Sequence, residues 1–163
     1  MRQLAECDAL VFAFPLYVDG IPSHLLNSLI QLETYLATIK EKEIMVYSVV
    51  NCGFYEGHQN GLTIEMVQNW SLRAGLEWGQ GVGIGAGGML SMLRHIPIGY
   101  GPMKNLKKAF TELTNNILNR ASGESIFITA NFPRFAYKLA GEMEWRQAIK
   151  ANGLKRKDLF LRK

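Results

Sequence analysis

Cysteine is scarce in this chain: Cys7 and Cys52 are the only two among 163 residues. So few exclude a disulfide-built secreted scaffold and an iron–sulfur cluster held within the chain, and make a reducing cytoplasm the expected compartment. Long apolar runs are missing too. None approaches the ~20 residues of a membrane span, and the opening MRQLAECDAL lacks the basic and apolar regions of a signal peptide. Three histidines, His24, His58 and His95, fall at no metal-ligand spacing, so no metal site is expected. Repeats, linkers and low-complexity blocks are also absent. What remains is 48% hydrophobic and 20% charged, the composition of one globular domain and not of a disordered, collagen-like or coiled-coil chain. Such a length buries roughly 70% of its unfolded surface without staples.

Charge of one sign is confined to the end. Lys150, Lys155, Arg156, Lys157, Arg162 and Lys163 against Asp158 give residues 150–163 a charge of +5, whereas the whole chain carries +4. The body therefore sums to −1. A solvated tail explains this better than nucleic-acid binding, and no nucleic-acid partner is expected.

Ala9–Phe14 is an uninterrupted apolar run closed by Pro15, and Ile44–Val50 is a second, stopped by Asn51-Cys52-Gly53. Neither alternates apolar with polar, which reads as strands buried on both faces of a parallel sheet. Between them Ile21, Leu25, Leu26, Leu29, Ile30 and Leu36 mark an amphipathic helix, with Pro22 in its first turn. The result is a βαβ unit, whose crossover is expected to be right-handed. A helix over roughly 61–74 follows, carrying Leu62, Met66, Val67 and Trp70, with Gly75 as its stop. A third strand is expected near Trp78–Gly85. Leu106, Phe110, Leu113 and Ile117 share a further helical face with Gly123 beyond it, and Phe135, Leu139 and Met143 mark a last helix ended by Asn152-Gly153. The class is α/β, with residues 1–131 as the domain and 132–163 as an appended helix and basic tail. Two interior-looking strands in a sheet of three need another neighbour. Either Ser125–Thr129 supplies it or leading elements are missing, and missing elements are the preferred reading.

In open α/β sheets ligands bind beyond the carboxyl ends of the strands. Two aromatic segments marked by Pro or Gly lie there: Pro15-Leu16-Tyr17-Val18-Asp19-Gly20-Ile21-Pro22 and Asn51-Cys52-Gly53-Phe54-Tyr55-Glu56-Gly57-His58-Gln59-Asn60. Such loops offer rings to the face of a planar heterocycle and N–H groups to its edge. Either loop alone would pass for an ordinary βα turn with its rings folded onto the core; their pairing on neighbouring strands favours a ligand.

The segment Cys7–Pro22, an apolar strand followed by Pro15-Leu16-Tyr17 and then Pro22 before a helix, resembles the third strand and flavin loop of the flavodoxin-like NAD(P)H-dependent FMN reductases. The resemblance runs from about residue 4 to residue 122. It implies a flavodoxin-like three-layer α/β/α fold, FMN as cofactor, NADPH or NADH as co-substrate, and a homodimer. It places Pro15, Leu16, Tyr17 and Val18 against the isoalloxazine, and Asn51, Cys52, Gly53, Phe54, Tyr55 and Glu56 along another edge of the flavin. The family's first strand and its Ser/Thr-rich phosphate loop have no counterpart before Ala9, so the chain reads as N-terminally truncated, with a weakened hold on the phosphate. The expected activity is hydride transfer from nicotinamide through flavin to an acceptor, which asks little of side chains beyond stacking and orientation. The rival is a non-catalytic flavodoxin-like binding or scaffold module without the phosphate site.

Two further signals carry less. Gly83-Ile84-Gly85-Ala86-Gly87-Gly88 matches G-x-G-x-x-G, but on the third strand and with no acid before Glu112, so close packing on one strand face explains glycines 79, 81, 83, 85 and 87 better. Cys52 with His58 six residues on is a weak nucleophile pair; a small residue packed beside a cofactor is the preferred role.

Overall fold

The computed structural model describes residues 7–39, 43–155 and 157–158. The two apolar runs form β1 (Ala9–Pro15) and β2 (Met45–Asn51), joined through helix α1 (Ser23–Leu36). Pro22 stands one residue before α1, with φ −53°, and starts the helix from outside its first turn. A 3-10 turn (Gly57–Asn60) leads into α2 (Gly61–Arg73), and Gly75, at φ 70°, ends that helix in the left-handed region. Then come β3 (Glu77–Ile84), the short helix α3 (Gly87–Met92), α4 (Lys104–Leu118), β4 (Ile126–Ile128) and α5 (Arg134–Ala151). The chain divides into two units, one ending at Asn131 and one beginning at Phe132.

In the first unit the four strands are parallel and lie in the order β1-β2-β3-β4. Helices flank both sides of the sheet, the arrangement of a flavodoxin-like α/β/α fold. On one face Leu29, Leu32 and Leu36 of α1 and Ile64, Val67 and Trp70 of α2 pack against Leu10, Phe14, Val46 and Val50. Trp70 closes that layer: its ring meets Phe12 edge-on at 5.4 Å, and its indole N–H donates to Leu29 O at 3.1 Å. Four fully buried aliphatic side chains on two helices, Leu29, Leu36, Ile64 and Val67, each contributing about 1.5–3 kcal/mol, are enough to fix this layer. On the other face α4 buries Leu106, Ala109 and Leu113.

The side that each helix takes sets the handedness. The chain moves in one direction along the sheet, with α1 and α2 on one face and α4 on the other. The β3-to-β4 crossover therefore has the opposite hand to the two before it. Right-handed crossovers are the rule in about 98% of cases, and the connection that differs in hand from the other two leads to a three-residue edge strand.

Within Ser125–Thr129, Ile126–Ile128 does form a strand, beside β3. Among the described residues β1 stands at the opposite edge. The expectation that β1 is buried on both faces fails for the same reason: Val11 is 48% exposed and Ala13 and Pro15 are exposed, because α4 covers the sheet only from β2 outward. The glycine series also departs from one face. A register shift after Val46 pairs Tyr47 with Gln80, so Gly79 is the extra residue of a bulge. A Cβ on Gly79 would strike the Tyr47 ring at 2.2 Å, whereas one on Gly81 would strike Ile64, under α2 on the other side. α4 ends through Arg120, at φ 50°, and Gly123 lies beyond it as expected, its N–H donating to Gly79 O at 2.9 Å.

Between α4 and the sheet lies a polar layer with its hydrogen bonds made. Gln80, fully buried, donates to Glu112 Oε1 at 3.1 Å and Glu124 O at 2.8 Å, and accepts from Asn116 Nδ2 at 3.0 Å. The Tyr47 hydroxyl lies 2.9 Å from Asn116 O and 3.0 Å from Ala121 O, sharing one proton between them. Burial pushes its pKa up, partly offset by Arg120. In the second unit, Phe135, Leu139, Met143 and Trp145 are all exposed on α5, which buries none of its residues.

Candidate functional site

Parallel pairing places the ends of β1 and β2 side by side, with Pro15 opposite Asn51 and Leu16 N donating to Asn51 O at 2.7 Å. Tyr17 and Tyr55 accordingly stand on the same rim of the sheet. The ten residues drawn from the sequence belong to two adjacent loops, and the loops differ in construction.

The first is a two-residue turn. Tyr17 N donates to Gly20 O at 3.0 Å and Gly20 N to Tyr17 O at 3.1 Å, while Val18 (φ 48°) and Asp19 (φ 58°) both occupy the left-handed region. Positive φ at both central residues defines a type I′ turn, which favours Asn and Gly. A β-branched valine there is strained, and strain of about 1–3 kcal/mol persists only where the surroundings hold it. What holds it is α2: Thr63 Oγ1 donates to Asp19 O at 3.3 Å. The turn lifts Tyr17 (69% exposed) and Val18 (93% exposed) into solvent, with Leu16 half-buried beneath.

The second loop is stitched inward. Cys52 N donates to Ile84 O at 2.9 Å, Gly87 N to Cys52 O at 2.7 Å, and Ala86 N to Phe54 O. The Asn51 amide lies against Gly87, where an added Cβ would come within 2.4 Å of Nδ2. Cys52 is buried, its sulfur 3.4 Å from Asn60 Nδ2 and 3.7 Å from Glu56 O. Burial pushes the thiol pKa up; hydrogen bonds from the Phe54 backbone and Asn60 pull the other way, and the Glu56 and Asp19 carboxylates add to the rise. A thiol held protonated is a poor nucleophile, and His58 turns instead to Phe127, ring centroids 4.5 Å apart. Asn60 braces the loop from below, donating to Gly57 O at 2.8 Å and Ile84 O at 3.2 Å, while its Oδ1 is buried with no partner. Of this loop Phe54 is 52% exposed, Gly53 is exposed, and Tyr55 and Glu56 are half-buried.

The G-x-G-x-x-G segment lies on the same rim and does not form a phosphate cradle. Gly85 N donates to Ile128 O at 2.8 Å, and the next two N–H groups are those already spent on Phe54 and Cys52. The helix that follows has six residues. Clefts of about 700, 660 and 510 Å³ open elsewhere on the molecule, and none of the ten residues lines them. Among the described residues no group of three or more His, Cys, Asp or Glu is placed to hold a metal, and no helix is long and apolar enough to cross a membrane.

Sequence reasoning passed over three things: the strained turn, the buried Asn60 brace and a cluster of lysines at Lys104, Lys107 and Lys108. The last had a visible signal, lysines at i, i+3 and i+4 with no acid before Glu112. No family model, no curated protein and no solved structure matches the chain.

Proposed function

We propose that the chain is an FMN-dependent NAD(P)H oxidoreductase whose flavin ring lies across the rim between the two loops. The observation that carries this reading is the strained Tyr17–Gly20 turn, which spends stability to hold apolar side chains in water beside a second loop with an exposed ring, Phe54. In this reading Tyr17, Val18 and Phe54 cover the ring, and the backbone of Gly53–Glu56 meets its polar edge. The residues fit a flavin ring. They do not fit its phosphate, since the glycine-rich turn at this rim has its N–H groups engaged within the fold. When bound, FMN supplies hydride transfer between NADPH or NADH and a small acceptor; the chain's own part is to stack, orient and exclude water. We read the working form as a cytoplasmic homodimer.

The test is flavin fluorescence titrated with the chain. FMN and riboflavin should be quenched with affinities within about tenfold of each other, because the phosphate is not gripped. Tyr17→Ala and Phe54→Ala should each weaken binding by about five- to tenfold, the worth of one aromatic contact. No quenching at about 1 mM flavin sinks the proposal. The inward stitching of Asn51 and Cys52 favours a second reading, a binding module without catalysis. Flavin binding with no NADPH or NADH oxidation would select it.

A further inference from the structure

The far edge of the sheet differs from the rim. β4 pairs with β3 on one side and, among the described residues, has no strand on the other. Its outer side and the first turns of α4 form a groove of about 700 Å³. Ile126, Ile128 and Ala109 give this groove an apolar floor, and Lys104 and Lys108 stand along its wall. In a parallel ladder successive residues turn their polar groups to alternate sides. Ile128 O is taken by Gly85 N at 2.8 Å, so the N–H and C=O of Phe127 face outward along the groove. Edge strands are commonly blunted by shortness, proline, lysine or a bulge; Ile126–Ile128 is short but carries none of the other three.

The charges around it are unequal, three lysines against one carboxylate. Lys107 joins Lys104 and Lys108 along an adjoining cleft of about 660 Å³. None of the three lysines is ion-paired among the described residues. Glu112, the carboxylate that shares both clefts, is engaged by Gln80 Nε2 at 3.1 Å. Lysines at i, i+3 and i+4 repel one another, and in the first turns of a helix they also oppose its macrodipole, each effect being about 0.2–1 kcal/mol. A free strand edge, an apolar floor and unpaired cations along one wall are the parts of a strand-addition site for a negatively charged chain.

We propose that this groove binds an extended acidic segment of another protein as a fifth strand beside β4, its backbone pairing with Phe127 and its carboxylates lying against Lys104 and Lys108. Asn105 Nδ2 donates to Thr129 O at 2.9 Å and closes the groove's end, so the added strand is short. The inference does not rest on the flavin reading, since the groove shares no residue with the two loops.

The test is fluorescence anisotropy of the full chain with a labelled peptide of about seven residues alternating glutamate and valine, the period that puts all its carboxylates on one face. Saturable binding that weakens as salt is raised is expected, with no binding of a lysine–valine counterpart. K104E/K108E, at two exposed positions, should weaken binding at least about tenfold while leaving the thermal midpoint within a few degrees. A peptide with proline at its centre should lose binding by a similar factor, because it cannot complete the ladder. The proposal is overturned if the proline peptide binds as well as its parent, if inorganic tripolyphosphate or a single-stranded oligonucleotide binds more tightly than the peptide, or if K104E/K108E folds normally and binds unchanged.

Discussion

The two loops that crown β1 and β2 are neighbours built in opposite ways. The Tyr17–Gly20 turn faces outward: it carries two residues at positive φ, exposes Tyr17 and Val18, and is tied to the rest of the fold by Thr63. The Asn51–Glu56 loop faces inward, giving its backbone to β3 and its Cys52 thiol to a buried pocket of carbonyls. Substitutions in the inward loop should therefore cost folding, and substitutions in the outward turn should cost binding alone or even gain stability. The largest effect is expected beneath the inward loop. An added methyl on Gly57 would lie 2.2 Å from Ile128 O, and one on Gly85 would lie 2.1 Å from Tyr55 O, both against backbone that cannot move aside. Gly57→Ala and Gly85→Ala should each lose about 3 kcal/mol or more in urea denaturation. Gly53→Ala, in the same loop but with nothing within 4 Å, should change little. Equal effects at Gly53 and Gly57 would break the contrast.

Next in size is Asn60. Its amide reaches Gly57 O, Ile84 O and the Cys52 sulfur, so it holds the inward loop to β3 from within the core. Asn60→Ala removes these bonds, Ile84 O keeping the one from Cys52 N, and should cost about 1–3 kcal/mol in the same measurement. Asn60→Asp should cost more at neutral pH, because it sets a carboxylate against those carbonyls.

Much of this architecture was legible in the sequence, and the parts that were not have particular causes. Burial leaves a compositional mark, so β1, β2 and the helix over 61–74 stood out as apolar runs or spacings. The same mark misled at β1, whose apolar run suggests two covered faces although Val11 is half exposed: composition records that a strand is apolar, not what lies beside it. A one-residue bulge leaves no trace in a glycine-rich strand, so Gly79 was placed on the wrong face. The turn at residues 17–20 is centred on Val18 and Asp19, and a valine at positive φ leaves no signal in local preference, which favours Asn and Gly there. The lysine cluster on α4 was hidden by the near-neutral sum of the body, since a net charge says nothing about where charges meet.

The outward turn supplies the third prediction, opposite in sign. Val18 packs against nothing that rewards its strain and is 93% exposed, so Val18→Gly should raise stability by about 1 kcal/mol, seen as a higher thermal midpoint. If Val18 touches a bound ring, the same variant should bind flavin more weakly. A gain in stability with a loss of binding is the signature of strain kept for a ligand. Loss of stability in Val18→Gly would mean that the turn is not strained and would remove its claim to be a ligand loop.

The smallest effect is expected in the pH dependence, and it separates the loops through Cys52. Burial raises the folded thiol's pKa above the ordinary value of 9.0. Below that value both folded and unfolded chains keep the proton, so Cys52 adds no slope. Above it the unfolded chain releases its proton first, and folding loses ground as pH rises until the folded thiol also ionises. Tyr47, raised from 10.0, should add a second decline at higher pH. Urea midpoints from about pH 8 to about pH 11 should therefore fall in two stages for the native chain. In Cys52→Ala the first stage should flatten and the second persist. A first decline that survives Cys52→Ala would mean that the inward loop does not hold its sulfur out of water as its hydrogen bonds indicate.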